Sequence, residues 1–442
     1  MGQNMKGKSP DPNQLSFLNQ RLADQLNPKH SLYRLAERIP WEIFEKEFAK
    51  HYSHTGRSAH PIRLMVGLLI LKQLRNLSDE AVVEHWVESG YYQFFCGETF
   101  LQWDFPCHPT DLVYFRKRIG EKGVEKIFQV SIELHGTKAR EREILIDTTV
   151  QEKNITFPTD TKLYRKIADH CVSIAEKEGV KLRQTYRRTI KRLMLAQRFR
   201  NHPKNYKKAV RAQRKLKTIA GRLMRDVERK LPADVFCQYS GMFRIFEQIM
   251  SQGKSSSDKI YSIHEPQVYC VGKGKEHKKY EFGAKASIAV GKNSGVIVGA
   301  VSHAKNLHDS KTLVEVISQS SELRGQCPAV AICDRGYRGK SKVGETQILI
   351  PKPSGKRATA YQRQKAKKRF RKRAGIEAII GHLKSDYRML RNYLKGSVGD
   401  SINLMLAAAA FNFKKWMRQV QEFLRVIFIA VFLEKSKQEL LY

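Results

Sequence analysis

The sequence predicts an α/β layered domain, a mixed sheet flanked by helices, preceded by an all-α region and interrupted by a basic helical insertion. Three observations carry that expectation. Apolar residues recur at helical spacing before about residue 136, the texture switches to short apolar strands at Ile144, and a long stretch after Lys162 is helical and almost free of acids. With 442 residues the chain exceeds the usual size of one domain, so two or three units with cores of their own are expected.

The first fourteen residues, rich in Lys, Pro, Gly and Asn, have nothing to bury and are expected to be disordered. From 15 to 136 the pattern is helical. Pro61 suits a helix start ahead of Ile62, Met65, Val66, Leu69, Ile70 and Leu74, Ser78 is a candidate N-cap for the next helix, and Asp111 to Ile119 reads as another. The α/β region is expected over 137–422, with the insertion at about 162–250 and a short apolar tail at 423–442. Within it, strands are predicted at Ile144–Val150, Phe282–Val290, Val296–Val301, Ala329–Cys333 and Gln347–Ile350. Helices are predicted at Ser310–Leu323, from about Arg371 to Asn392, and at Ser401–Phe423.

Charge narrows the partner. A formal excess of +38, from 81 Lys and Arg against 43 Asp and Glu, favours a polyanion, and nucleic acid is the economical one. No apolar run reaches spanning length and no signal peptide is apparent, so a membrane partner is not expected. Seven cysteines without a Cys-x-x-Cys pair argue against a disulfide framework and a thiolate zinc site, and suit a reducing cytoplasm. Within the insertion, Arg187, Arg188, Lys191, Arg192, Arg198, Arg200, Lys204, Lys207, Lys208, Arg211 and Arg214 are interleaved with Tyr186, Phe199 and Tyr206. That pattern points to phosphate contact, with Lys273-Gly274-Lys275 and the run from Lys365 to Arg373 as further basic candidates.

Three acids invite a chemical reading. Asp147 sits inside an otherwise apolar strand, where Asp is poorly suited. Asp334 ends a later strand, and Glu377 lies on the helix after the last one. Taken singly, Asp334 before Arg335-Gly336 is ordinary turn chemistry, and Glu377 also fits a solvated helix carboxylate. Together they fit two-metal phosphoryl transfer, in which carboxylate oxygens hold hard ions such as Mg²⁺ or Mn²⁺. On a continuous helix Phe370, Arg373, Glu377 and Lys384 form one stripe, beside an apolar stripe of Ile376, Ile380, Leu383, Tyr387 and Leu390. Asp160, Glu152, Glu265, Glu281, Asp309 and Asp386 rank below the three as ligands, and His264 and His303 read as packing residues.

The segments around these acids resemble a known family. Ile146-Asp147-Thr148-Thr149-Val150-Gln151-Glu152 with Phe157-Pro158-Thr159-Asp160, the turn Asp334-Arg335-Gly336-Tyr337-Arg338-Gly339, and Gly375-Ile376-Glu377 through His382-Leu383-Lys384 are similar to bacterial insertion-sequence transposases of the DDE class. They look like the branch typified by insertion sequence five. Gly56-Arg57 and Pro61-Ile62-Arg63-Leu64-Met65 resemble the helical domain that precedes the catalytic domain there. The resemblance implies an RNase H-like catalytic fold, an N-terminal DNA-binding domain, and Asp147, Asp334 and Glu377 as catalytic and metal-binding residues. It further implies a pair of Mg²⁺ or Mn²⁺ ions, and DNA contacts among Arg335, Arg338, Arg373, Lys384 and Arg388. A homodimer or higher oligomer on DNA and a cytoplasmic, nucleoid-associated setting follow, because two element ends must be brought together before joining. The family's helix pattern has Tyr where this chain has Phe370, which removes a hydroxyl but leaves the carboxylates untouched. Two readings stay open beside strand transfer: a non-catalytic DNA-binding regulator, and a nuclease that cuts without joining.

Overall fold

The computed structural model describes residues 20–52, 59–253, 255–272, 279–351 and 359–439, with side chains of 365–367, 369 and 421–439 outside that description. The N-terminal segment 1–14, Gly56-Arg57, Lys273-Gly274-Lys275 and much of the basic run from Lys365 therefore lie outside the described residues, as do the side chains of the 423–442 tail. The chain divides into two compact units, one made of 1–152 with 285–442 and the other of 153–284.

The first unit is built on most of a mixed sheet. Its strands are β1 (Glu143–Lys153), β2 (Tyr269–Gly272), β3 (Tyr280–Gly291), β4 (Ile297–His303), β5 (Val330–Ile332), β6 (Lys342–Val343), β7 (Thr346–Leu349) and β8 (Arg391–Asn392). Among the described residues their order is β2-β3-β1-β5-β7-β6, with β4 also on β3 and β8 also on β1. β1 and β5 run parallel, as do β5 and β7, whereas β4 is antiparallel to β3. Parallel neighbours buried on both faces read as unbroken apolar runs, which is what Ile144, Leu145 and Ile146 form in β1 and Ala331, Ile332 and Cys333 in and after β5.

Helices of the N-terminal part share the core of this sheet. A single apolar cluster joins Leu32, Phe44, Leu69, Phe115 and Ile127 to Ile144, Ile288, Val298 and Ile332. One compact unit thus runs across residue 136, and the C-terminal helix helps to join its parts. That helix runs from Gly396 to Glu439, longer than predicted, and packs on helices Pro109–Glu133 and Ile62–Leu74 and on β4. Helix Ile62–Leu74 is consequently buried on nearly every side, where its pattern had suggested one buried face. Its two buried polar residues are satisfied inside the protein. Gln73 donates to the carbonyl of Tyr387 at 2.8 Å, and Lys72 donates to Asp79, itself held by both Arg116 nitrogens at 2.7 Å. Burial lowers the Lys72 ammonium to about 8, with Arg116 adding to the effect.

Asn412 is the polar rivet of this interface. Fully buried, its side chain accepts from the Ile297 N–H at 2.9 Å and donates to the Ile297 carbonyl at 2.8 Å and to Ser131 Oγ at 3.2 Å. It ties the C-terminal helix to β4 and to helix Pro109–Glu133. Replacing it by Leu strands two backbone groups of β4 away from water, so Asn412→Leu is expected to destabilise the protein by about 2 to 4 kcal/mol. Thermal unfolding checks this, and an unchanged midpoint would remove the rivet from the account.

Other predicted helices shift at their ends. Asp111 to Ile119 is part of Pro109–Glu133, capped by His108 and interrupted where Gly120 has φ +62°. Ser78 caps Asp79–Glu88 as expected, accepting from Ala81 N. The single helix predicted from Arg371 to Asn392 is instead Ala360–Arg371, a 3-10 turn at Lys372–Ala374, and helix Gly375–Asp386. It stops because Arg388 takes a left-handed backbone, φ +60°, and the N–H groups of Met389 and Leu390 turn back to the carbonyls of Leu383 and Lys384. Leu390 is exposed as a result. Asn392 is drawn into β8 by Asp400, which accepts from its side chain at 2.6 Å.

The second unit, 153–284, has its own apolar core. Helices Asp160–Lys177, Pro203–Lys230 and Ala233–Ser251 meet around Ile167, Leu216, Leu223 and Phe246, with helix Arg187–Leu195 adding Ile190. Ile260 and Ile263 join that core. Lys153 and Glu265 form a buried ion pair within it, 3.5 Å apart.

Candidate active site

Asp147 reaches its position through the register of the sheet. β1 and β5 pair with Glu143 beside Val330, Ile144 beside Ala331 and Leu145 beside Ile332. Carried two residues further, the same offset sets Asp147 level with Asp334. Neighbouring strands lie about 4.8 Å apart, and residues level across a parallel pair face the same side of the sheet. The two acids therefore share one strand end.

Their surroundings differ. Asp147 is largely buried, with Oδ1 accepting from Thr148 N at 2.8 Å. Burial pushes its carboxyl up from the ordinary 3.8 to about 6. The Thr148 N–H and the Arg373 guanidinium oppose that shift, while the negative charges of Asp334 and Glu377 reinforce it. Asp334 opens a short 3-10 turn and accepts from Gly336 N at 2.8 Å, so its turn role and its place beside Asp147 coexist. Glu377 stands in the first turn of Gly375–Asp386 and is two-thirds exposed.

Arg373 links the strand to the helix. One of its terminal nitrogens lies 3.6 Å from Asp147 Oδ2 and the other 3.5 Å from Glu377 Oε1. The first nitrogen is buried and makes no hydrogen bond. The 3-10 turn at 372–374 aims this side chain, so the break in the predicted helix serves the geometry that the continuous stripe was expected to supply.

Fit to a divalent cation divides into chemistry and geometry. The donors are carboxylate oxygens, the type that hard divalent ions prefer. Among the described residues, however, no three His, Cys, Asp or Glu side chains stand close enough to enclose an ion, and Arg373 lies between Asp147 and Glu377. For Asp147 and Glu377 to share an ion, that guanidinium would have to turn aside and the exposed Glu377 to turn inward.

Residues that sequence reasoning ranked low or passed over complete the surroundings. Asp309 Oδ1 accepts from Thr148 Oγ1 and from Lys285 Nζ, each at 3.0 Å, and Lys285 also donates to the Leu307 carbonyl. A Cβ on Gly336 would lie 3.0 Å from Asp334 Oδ1 and 3.1 Å from Asp309 Oδ2. Glycine at 336 therefore lets two carboxylates close on the turn. Tyr337 is fully buried, and its hydroxyl lies near Thr148 without hydrogen-bond geometry; burial and the negative charge of Asp147 hold it well above the usual phenol range. Asp309, ranked below the three acids as a ligand, opens the helix that His308 caps.

Of the predicted DNA contacts, Arg335 and Arg338 are exposed on the turn after Asp334, and Lys384 is half-buried on the Glu377 helix. Arg388 is engaged within the protein, donating to the Asn76 carbonyl at 3.1 Å and lying 5.6 Å from the Tyr393 ring. Asp160 follows the N-cap Thr159, Glu265 pairs with Lys153, and Asp386 binds His382. His303 is buried and bonded to Ser287.

Comparison with known proteins bears on this arrangement. Residues 20–118 match the family described as "Transposase domain (DUF772)", and residues 255–413 match the "Transposase DDE domain". The chain is a DDE transposase. The second match takes in Asp334 and Glu377, and Asp147 lies before it. An "Uncharacterized protein ORF8 in nfe locus" of Rhizobium meliloti is 41% identical to the transposase over 207 residues, 46% of this chain and all of that protein. No solved structure matches it. Membership makes the transposase an enzyme acting on DNA with divalent metal ions, in an α/β domain that follows a helical region.

Proposed function

We propose that the transposase binds the inverted ends of a mobile element, cleaves phosphodiesters there and transfers the freed strand to target DNA, using two Mg²⁺ or Mn²⁺ ions held by Asp147, Asp334 and Glu377. The observation that carries this reading is the shared strand end of Asp147 and Asp334, with Arg373 spanning Asp147 and Glu377. The sheet order β4-β3-β1-β5-β7 supports an RNase H-like core beneath it.

When bound, the ions supply Lewis-acid stabilisation of the attacking and leaving oxygens. The chain's own groups do the rest. Asp147, although burial raises its carboxyl to about 6, is ionised at neutral pH and would offer its negative charge to the ions. Thr148 N–H and the Gly336 N–H fix one oxygen of Asp147 and of Asp334, leaving the other oxygen of each to act as ligand. Asp309 anchors Thr148 and Lys285, and so holds β1, β3 and the helix Asp309–Arg324 in register around the acids. Arg373, once displaced, becomes a cation for the DNA backbone beside Lys384, with Arg335 and Arg338 on the neighbouring turn.

In this reading the helical part within 15–136 recognises the element ends, the catalytic part occupies 137–422, and the basic insertion grips phosphates. The working form is a dimer or larger assembly on DNA, in the cytoplasm at the nucleoid. No helix among the described residues is long and apolar enough to cross a membrane. The test is an incubation with DNA carrying the element's flanking repeats. Nicks and joined products that require Mg²⁺ or Mn²⁺ and vanish with chelator are expected. Cleavage without joined products would reduce the protein to a nuclease, and binding without metal-dependent cleavage would make it a regulator.

A further inference from the structure

The second unit carries a basic surface whose exposed rings phosphate contact leaves unexplained. From Lys181 to Arg225 there are seventeen Lys and Arg and no Asp or Glu. Helices Arg187–Leu195 and Pro203–Lys230 bury Ile190, Leu216 and Leu223 on one side, while Arg188, Lys191, Arg192, Lys207, Arg211 and Arg214 are exposed. Glu176 pairs with Arg187, but a surface so rich in cations still suits a polyanion rather than a mixed protein partner.

The turn joining these helices displays one ring, Phe199, and the first turn of the following helix another, Tyr206. Phe199 is 79% exposed and Tyr206 54% exposed. Phe199 also has φ +54°, a left-handed backbone that bulky residues rarely adopt. The turn is nevertheless closely held: Gln197 donates to the Ala209 carbonyl at 2.7 Å, the His202 N–H to the Phe199 carbonyl at 3.0 Å, and Pro203 starts the following helix after its N-cap His202. A strained, anchored position for a ring that faces water calls for a use outside the unit's own core.

We infer that this tip is a base-stacking element, Phe199 with Tyr206 receiving unpaired bases of DNA whose phosphates lie along the flanking Lys and Arg faces. The inference rests on the DNA-acting reading above. Cations bind phosphates without regard to sequence or pairing. Exposed aromatic faces add a preference that cations cannot, because a base inside a duplex already has both faces covered while an unpaired base has one to offer. The combination selects DNA that is bulged, gapped or opened.

The experiment uses the full chain in chelator, so that binding is read without cleavage. A short duplex is compared with the same duplex bearing a bulge of unpaired bases that includes the fluorescent base 2-aminopurine. The wild type is expected to bind the bulged form about tenfold more tightly and to quench its fluorescence. Phe199→Ala should abolish the preference and the quenching, leave duplex affinity and its salt dependence unchanged, and be rescued by Phe199→Trp. Phe199→Asn separates the ring from the fold, since Asn tolerates the left-handed backbone; it should keep the thermal midpoint and lose the preference. Equal wild-type affinity for both DNAs, or a preference that survives Phe199→Ala and Phe199→Asn, overturns the inference and leaves the cleavage reading standing. Failure to bind either DNA overturns both.

Discussion

Asp334→Asn is expected to lower metal-dependent DNA cleavage by at least about a thousandfold while leaving DNA binding near its original strength, the loss typical when charge stabilisation is removed from a transition state. The asparagine keeps the oxygen that accepts from Gly336 N, so the 3-10 turn survives, and what disappears is one negative charge level with Asp147. Glu377→Gln should behave alike, because Glu377 is exposed and its helix does not depend on it for packing. Gel assays for nicked product and for the protein–DNA complex, run on the same preparations, separate the two effects. Parallel loss of binding and cleavage would mean that Asp334 supports the fold and carries no special chemistry.

Asp147→Asn should cut activity as severely and yet make the metal-free protein more stable. The sign follows from its proton affinity, raised from 3.8 to about 6 by burial, with Asp334 and Glu377 adding to it. Below about pH 4 the residue is neutral whether folded or unfolded, and it neither stabilises nor destabilises. Between about 4 and 6 the folded state keeps a proton that the unfolded chain has lost, so stability falls as pH rises through that window. At pH 7 the ionised group costs the fold about 1 to 3 kcal/mol, the order implied by such a shift. Substitution by Asn removes the penalty. The melting temperature in chelator should therefore rise by several degrees at pH 7 and stay nearly unchanged at pH 4. A lower midpoint at pH 7 would show that the Arg373 and Thr148 contacts outweigh burial. The stored cost makes physical sense at a site meant to receive positive charge, where stability is exchanged for function.

The residues that announced themselves did so through local conflict. Asp147 stood out because an acid interrupts Ile144-Leu145-Ile146, and the strands at 282–290 and 296–301 because branched apolar residues flank a Gly-rich turn; β3 and β4 cover both. The two-, two- and four-residue strands β8, β6 and β2 escaped because so few residues cannot display a period. Pairings across long sequence separations were equally invisible. Nothing near Asn412 discloses that it bonds Ile297, and nothing near Arg388 discloses that Asn76 accepts from it. The break at Lys372–Ala374 sits in a basic run with no apolar marker of phase, so helical extrapolation ran through it, and extrapolation past the stop at Asp386 carried Leu390 to a buried face it does not occupy. Asp309 illustrates a different limit. Its helix-opening position explains it completely at short range, and only the fold reveals Thr148, Lys285 and Gly336 around it.

The most direct measurement is affinity cleavage of the polypeptide itself. Fe²⁺ substituted for the native ion, with ascorbate and peroxide, generates hydroxyl radicals that cut the chain where the ion sits. Cuts are predicted at three remote places, near Asp147 on β1, in the turn after β5 at Asp334, and at the start of the Gly375–Asp386 helix, all suppressed by excess Mg²⁺ and lost in Asp334→Asn. Cuts at only one of these segments, or a pattern indifferent to Mg²⁺ and to Asp334, would contradict a shared ion site.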